Sequence, residues 1–199
     1  DIIGLSIATR PDCVNDEIIS LLCKLKTKFR KDIYVELGLQ TTNDTIAKEF
    51  NRGYDYPVFL NALTKLNNCG IPVIVHMILG LPNETPEDIC HNIKEVSSLN
   101  IHGIKLSLLH IIKGTKMETR FISEPQSFHL MDMNIYIKTL CRCIELIPED
   151  VVIYRITGDA PKKLLTAPLF TADKKRVLNS INQYMRENNI RQGRLANKN

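Results

Sequence analysis

Five polar stretches each follow an apolar run that reads as a strand: Thr9-Arg10-Pro11-Asp12, Gln40-Thr41, Gly80-Leu81-Pro82-Asn83-Glu84, and the segments 110–115 and 155–159. In a parallel sheet of strand-helix units all strands end on the same side, so side chains placed just past those ends converge on one mouth. Arg10, His110, Arg155 and Asp159, with Lys105 on the strand before, are groups that could bind a substrate there. They also have a plainer use. Arg10 can pair with Asp12 and stiffen its turn, and a buried Lys or Arg can pair with a carboxylate such as Glu36.

Six cysteines show no paired metal-ligand spacing: Cys13, Cys23, Cys69, Cys90, Cys141 and Cys143. In a chain able to bury its own core most of them read as small buried hydrophobes rather than disulfide partners. Cys141 and Cys143 are two apart on a predicted helix, so they point about 200° apart and would not share a metal. Only Cys13 lies near the predicted mouth.

The elements that must position these residues follow from periodicity and punctuation. Strands are predicted at 2–8, 33–39, 73–79, 104–109 and 151–154. The first is an Ile/Leu run with little alternation, which suits a strand covered on both faces. Between them, Ile18, Leu21, Leu22 and Leu25 recur at helical intervals, and short helical signals follow at 45–50. Pro57 marks a helix start and Gly70 its end, and Thr85-Pro86 with Glu87 and Asp88 opens another helix. A single helix is predicted over 127–147 and a last one over 172–188. Strands separated by helical crossovers give an α/β fold, an open parallel sheet of about five strands, too few for a closed barrel that takes about 250 residues.

Composition narrows the class. With 199 residues, 44% of them hydrophobic, the chain can bury one ordinary domain. Residues 1–190 are read as that unit and 191–199 as a poorly ordered polar tail. A net charge of +4, spread along the chain, makes no case for nucleic acid by itself. No apolar run reaches the roughly 18 residues of a membrane span, so no membrane partner and a cytoplasmic location are expected. Strand character from the second residue leaves an apolar edge without an upstream neighbour. That reads as a fragment of a longer protein, with dimerisation through the exposed edge expected.

The loop sequences resemble those of a known family. Ser6-Ile7-Ala8-Thr9-Arg10-Pro11-Asp12-Cys13, Glu36-Leu37-Gly38-Leu39-Gln40-Thr41, Asn51-Arg52-Gly53-Tyr54-Asp55, His76-Met77-Ile78-Leu79-Gly80-Leu81-Pro82, the segment 105–110, and Arg155-Ile156-Thr157-Gly158-Asp159-Ala160-Pro161 occur in order. Together they resemble the later part of a radical SAM enzyme, closest to bacterial proteins often labelled Fe-S oxidoreductases. More distantly they resemble the Elongator catalytic subunit and oxygen-independent coproporphyrinogen oxidase. The resemblance implies a partial (β/α)6 TIM barrel, S-adenosylmethionine (SAM) and a 4Fe-4S cluster. It also implies an electron donor and reductive cleavage of SAM to a 5'-deoxyadenosyl radical that abstracts hydrogen from an unknown substrate. Cluster binding needs three thiolates of CxxxCxxC type, and these 199 residues contain no such triad, so the fragment alone is expected to be inactive.

By position in those motifs the resemblance implies a set of SAM contacts. Gln40 would touch the ribose or carboxylate, Arg52 would pair with the carboxylate, and His76 would face the ribose. Ile78, Gly80 and Leu81 would pack against adenine. Arg10, Lys105, His110, Arg155 and Asp159 remain substrate candidates. By analogy with Elongator, tRNA is an alternative substrate, with Lys174, Lys175, Arg176, Arg186, Arg191 and Arg194 as phosphate contacts. A non-catalytic barrel domain that binds a nucleotide or a partner is the reading from another class.

Overall fold

A computed structural model describes residues 2–196. Its strands are β1 (Gly4–Thr9), β2 (Asp32–Gln40), β3 (Val73–Leu79), β4 (Gly103–Leu108), the two-residue β5 (Ile111–Ile112), β6 (Val152–Arg155) and β7 (Leu165–Ala167). The helices are α1 (Asp16–Phe29), α2 (Asp44–Glu49), α3 (Tyr56–Asn68), α4 (Pro86–Ser97), α5 (Lys116–Ser123), α6 (Met133–Leu146) and α7 (Lys174–Glu187). One parallel sheet runs β1-β2-β3-β4-β6, with at least one helix in every crossover, as the spacing of strands and helices predicts. A small antiparallel ribbon, β5 with β7, closes over the region beyond β4.

The two faces of the sheet differ. Ile33, Val35, Leu37 and Leu39 of β2 are buried and share one core with Leu22 of α1, Phe59 and Leu66 of α3, Ile93 of α4 and Leu140 of α6. The alternate residues of β2, Tyr34, Glu36, Gly38 and Gln40, are only half-buried. Helices therefore cover one face and leave the other open, and the expectation that the first strand is covered on both faces does not hold. β1 is an edge strand paired only with β2, and Ile3 and Leu5 on it and just before it are 84% and 44% exposed.

Local chemistry explains where helices begin. Thr85 and Asp88 form a reciprocal capping box, with Pro86 at the first helical position of α4. The single helix expected over 127–147 is shorter, because the Asp132 side chain accepts from Ile135 N at 2.8 Å and starts α6 there. Segment 116–131 instead holds α5 and a short 3-10 turn at Pro125–Ser127.

Two further expectations are corrected. Cys23 of α1 and Cys69 at the end of α3 form a disulfide, their Cα atoms 6.1 Å apart, although 46 residues separate them in sequence. Cys141 and Cys143 are buried as expected, Cys90 is half-buried and Cys13 is exposed. Much of the polar tail is packed: Gln192 Nε2 donates to the carbonyls of Pro148 and Val151 at 2.6 and 2.7 Å, and Arg194 pairs with the buried Glu145. The rest of that tail, 197–199, lies outside the described residues. No helix among the described residues is long and apolar enough to cross a membrane.

Candidate functional site

Parallel register places polar residues of four neighbouring strands side by side on the open face. Glu36 of β2 is the hub: Oε1 accepts from Ser6 Oγ of β1 at 2.9 Å, and Oε2 takes His76 Nε2 of β3 at 2.7 Å and Lys105 Nζ of β4. Burial disfavours the ionised carboxyl, but the hydrogen bonds from Lys105, His76 and Ser6 outweigh it and pull Glu36 down to about 2. Burial is also the largest influence on His76 and lowers its pKa, against the upward pull of Glu36. His76 is therefore neutral near pH 7 and donates through Nε2–H to an ionised Glu36. Lys105 takes the plainer of its two sequence readings, the ion pair with Glu36.

Below this hub the open face carries aromatic rings. His102 lies 5.4 Å from Tyr34 and 6.0 Å from Tyr154 between centroids, and its Nε2 is 2.9 Å from the Tyr154 hydroxyl. Above it, at the C-terminal ends of the strands, is the rim. The register between β2 and β3 shifts at Gly38/Gln40, and Gln40 takes φ 66°, a left-handed conformation costly for a side chain. Its amide folds back over Gly38, where an added Cβ would come within 2.7 Å of Gln40 Nε2. Glycine is what allows that close approach.

Arg52 does not reach this rim. Its side chain is 2% exposed, and its N–H donors are taken by the end of β2, the start of α2 and the loop after α2. Nε donates to Tyr54 O at 2.8 Å, Nη1 to Leu39 O at 3.1 Å and Thr41 O at 2.6 Å, and Nη2 to Asp44 Oδ1 at 2.6 Å. Tyr54 stacks against it, 4.7 Å from guanidinium to ring centroid, and donates its hydroxyl to Gly38 O. The guanidinium expected to pair with a ligand carboxylate is here engaged by three backbone carbonyls and the Asp44 carboxylate.

The β3–α4 turn is organised by a buried carboxyl that sequence reasoning passed over. Glu84, 2% exposed, accepts from Gly80 N at 2.9 Å and Leu81 N at 3.1 Å through Oε2, and from Asn92 Nδ2 at 2.9 Å through Oε1. Asn92 carries the connection to the β2–α2 loop, donating to Thr41 Oγ1 at 3.2 Å and accepting from Thr42 Oγ1 at 2.8 Å. Burial dominates and pushes Glu84 up to about 7, although these N–H bonds favour the anion. Ile78 is half-buried at the end of β3 on the open face. Leu81 is 1% exposed and packs with Ile46, Leu109 and Phe128, so it forms no wall of the mouth. Gly80 makes its close approach to Met131, whose Cε would lie 2.9 Å from an added Cβ.

The remaining candidates divide. Arg10 binds Asp12 in bidentate fashion, at 2.9 and 2.7 Å, and stiffens the turn after β1. Asp159 is paired with Lys174 Nζ, 2.7 Å from both oxygens. His110 and Arg155 stay available at the mouth: Nε2 of His110 is buried without a partner, and Arg155 lies beside Lys105 in register. Lys174 and Arg194, named above as phosphate contacts, are engaged by Asp159 and Glu145.

The cysteines do not fit a cluster. Cys23 and Cys69 are bonded to each other, Cys141 and Cys143 are buried in α6, and no three His, Cys, Asp or Glu groups converge among the described residues. A cavity of about 650 Å³ lies at the opposite end of the strands, between the C-terminal ends of α4 and α6 and the tail. Its lining includes Lys94, Ser97 and Glu149 and none of the network residues.

Two family models match the chain in tandem, the Radical SAM superfamily over residues 1–96 and the Radical_SAM C-terminal domain over residues 101–187. The chain belongs to the radical SAM superfamily. The junction between the two matches falls between α4 and β4, yet β3 and β4 pair in one continuous sheet. Uncharacterized protein YtqA of Bacillus subtilis (strain 168) is 36% identical over 98% of this chain and 59% of its own length. Protein YhcC of Escherichia coli (strain K12) is 31% identical over 96% of this chain and 60% of its own length. The chain thus spans about three fifths of these relatives. Among solved structures, the archaeal Methanocaldococcus infernus Elp3 with an N-terminal deletion superposes with a TM-score of 0.82. It is 23% identical, and the match covers 96% of this chain and 43% of that one. That likeness is one of fold: five parallel strands of a radical SAM partial barrel.

Proposed function

We propose that this chain forms the ligand-facing part of a radical SAM enzyme, in which the open face binds substrate and the rim holds SAM. The observation that carries the reading is the Ser6–Glu36–His76–Lys105 network, which spans four strands at the base of the mouth in a chain of this superfamily. A polar, half-exposed network costs stability compared with an apolar face, and recognition of a ligand is what it offers in return. SAM with a 4Fe-4S cluster, when bound, supplies one-electron chemistry that removes hydrogen from a substrate.

The chain's own residues bind and orient. Gln40, half-buried at the rim, presents an amide that both donates and accepts, which suits a ribose hydroxyl or a carboxylate. Ile78 supplies an apolar surface for a flat base. His76 is held by Glu36 with its proton on Nε2, so Nδ1 is left as an acceptor. The tilted Tyr34, His102 and Tyr154 rings line the lower end of the face.

The test is 5'-deoxyadenosine formation by the full-length protein, purified anaerobically with its cluster reconstituted, then given SAM and a strong reductant. Formation of that product is expected. A protein that holds a 4Fe-4S cluster yet yields none, with or without cell metabolites as substrate source, would overturn the reading.

A further inference from the structure

Charge on the open face does not balance. Lys105 is paired with Glu36, and Asp159, in the loop after β6, is taken by Lys174. His76 and His110 are neutral near pH 7, because burial lowers both. Arg155 remains. It forms no ion pair or side-chain hydrogen bond among the described residues and is exposed at the end of β6, level with Lys105. Register with Lys105 puts Arg155 at the same end of the sheet as the Glu36 network, beside the mouth.

A second unspent group lies beside it. His110 Nε2 is buried without a partner, a costly condition for a polar nitrogen. The ring is pressed against Gly158, where an added Cβ would fall 2.9 Å from His110 Cε1. Gly158 lies in the loop that follows Arg155, so His110 packs against the same loop that carries the guanidinium.

We infer that Arg155, with His110 beside it, is an oxyanion subsite for the substrate, taking a phosphate or carboxylate group that enters the mouth above Lys105. This deepens the reading of the open face as the substrate site and rests on it. A planar guanidinium bonds two oxygens of such a group at once, and the paired Glu36 and Lys105 add no net charge of either sign. Arg52, the other arginine considered for a carboxylate, is spent in its loop.

Arginine-specific labelling of the full-length protein with phenylglyoxal, read peptide by peptide in the mass spectrometer at constant ionic strength, tests this without cluster or turnover. Free Arg155 is expected to label readily while buried Arg52 does not. Inorganic phosphate or acetate should slow Arg155 at least roughly fivefold, the occupancy reached at about four times the dissociation constant. Exposed Arg186 should be unaffected. Stronger protection by phosphate would identify a phosphorylated substrate, and stronger protection by acetate a carboxylic acid. Protection of Arg155 by SAM would assign the subsite to the cofactor instead, and equal slowing of Arg155 and Arg186, or none, would overturn it. Failure here leaves 5'-deoxyadenosine formation untouched as evidence on the enzyme class, so the two readings fall separately.

Discussion

Arg52→Ala is expected to destabilise the protein by about 3 to 5 kcal/mol, the cost of removing one partner from a buried, hydrogen-bonded charge. The side chain bonds the carbonyls of Leu39, Thr41 and Tyr54 and the carboxylate of Asp44, and alanine would remove all four bonds and leave a cavity where the buried guanidinium lay. In a chain of this size that loss lowers the melting temperature by on the order of 10 °C. Arg52→Lys should recover little, because one ammonium cannot reach acceptors spread around a planar fork. Denaturant unfolding followed by circular dichroism checks both variants. A variant of wild-type stability that binds SAM weakly would contradict this and return Arg52 to the ligand site.

Glu84 is expected to make stability fall with rising pH. Its carboxyl sits near 7 in the folded chain against an ordinary 4.5, so between those values the folded state holds a proton that the unfolded state has released. The stabilisation is complete below the unfolded value and is lost as pH rises through about 7, by on the order of 3 kcal/mol in all. Glu84→Gln, which keeps an oxygen for the Gly80 and Leu81 N–H groups, should flatten that slope. Glu84→Ala strands those donors and Asn92 and should cost about 2 to 4 kcal/mol at every pH. Unfolding free energies measured at pH 5 and pH 8 distinguish the cases. A wild-type protein more stable at pH 8, in a manner that Glu84→Gln abolishes, would reverse the sign and refute the assignment.

The fold was legible because its signals are local. The strand at 73–79 is apolar except for His76, and Pro57, Thr85 and Pro86 mark helix starts through backbone chemistry that needs no tertiary context. Asp132 carries the same kind of signal, but the apolar residues just before it, Phe128, Leu130 and Met131, extend the helical pattern and mask the cap. The two- and three-residue strands of the ribbon are too short for any periodicity.

The site was less legible because it depends on register. Ser6, Glu36, His76 and Lys105 become neighbours only when four strands align, and a shift of one residue would send each side chain to the helix-covered face. Pairing of Lys105 with Glu36 was foreseeable as a charge pair, yet His76 joining it was not. Arg52 misled for the converse reason: a motif gives its place in a loop but not the inward fold of that loop around it. The Cys23–Cys69 bond is hidden in the same way, since α1 and α3 meet only in three dimensions.

The central claim is that ligands bind at the C-terminal ends of the strands over the Glu36 network, and hydrogen exchange on the full-length, cluster-loaded protein tests it most directly. Adding SAM is expected to slow exchange in segments 38–41 and 76–81 and to leave the opposite-end cavity, at 97–101 and 146–151, unchanged. Protection confined to the 97–101 and 146–151 segments would place the ligand at the other end of the sheet and contradict the account.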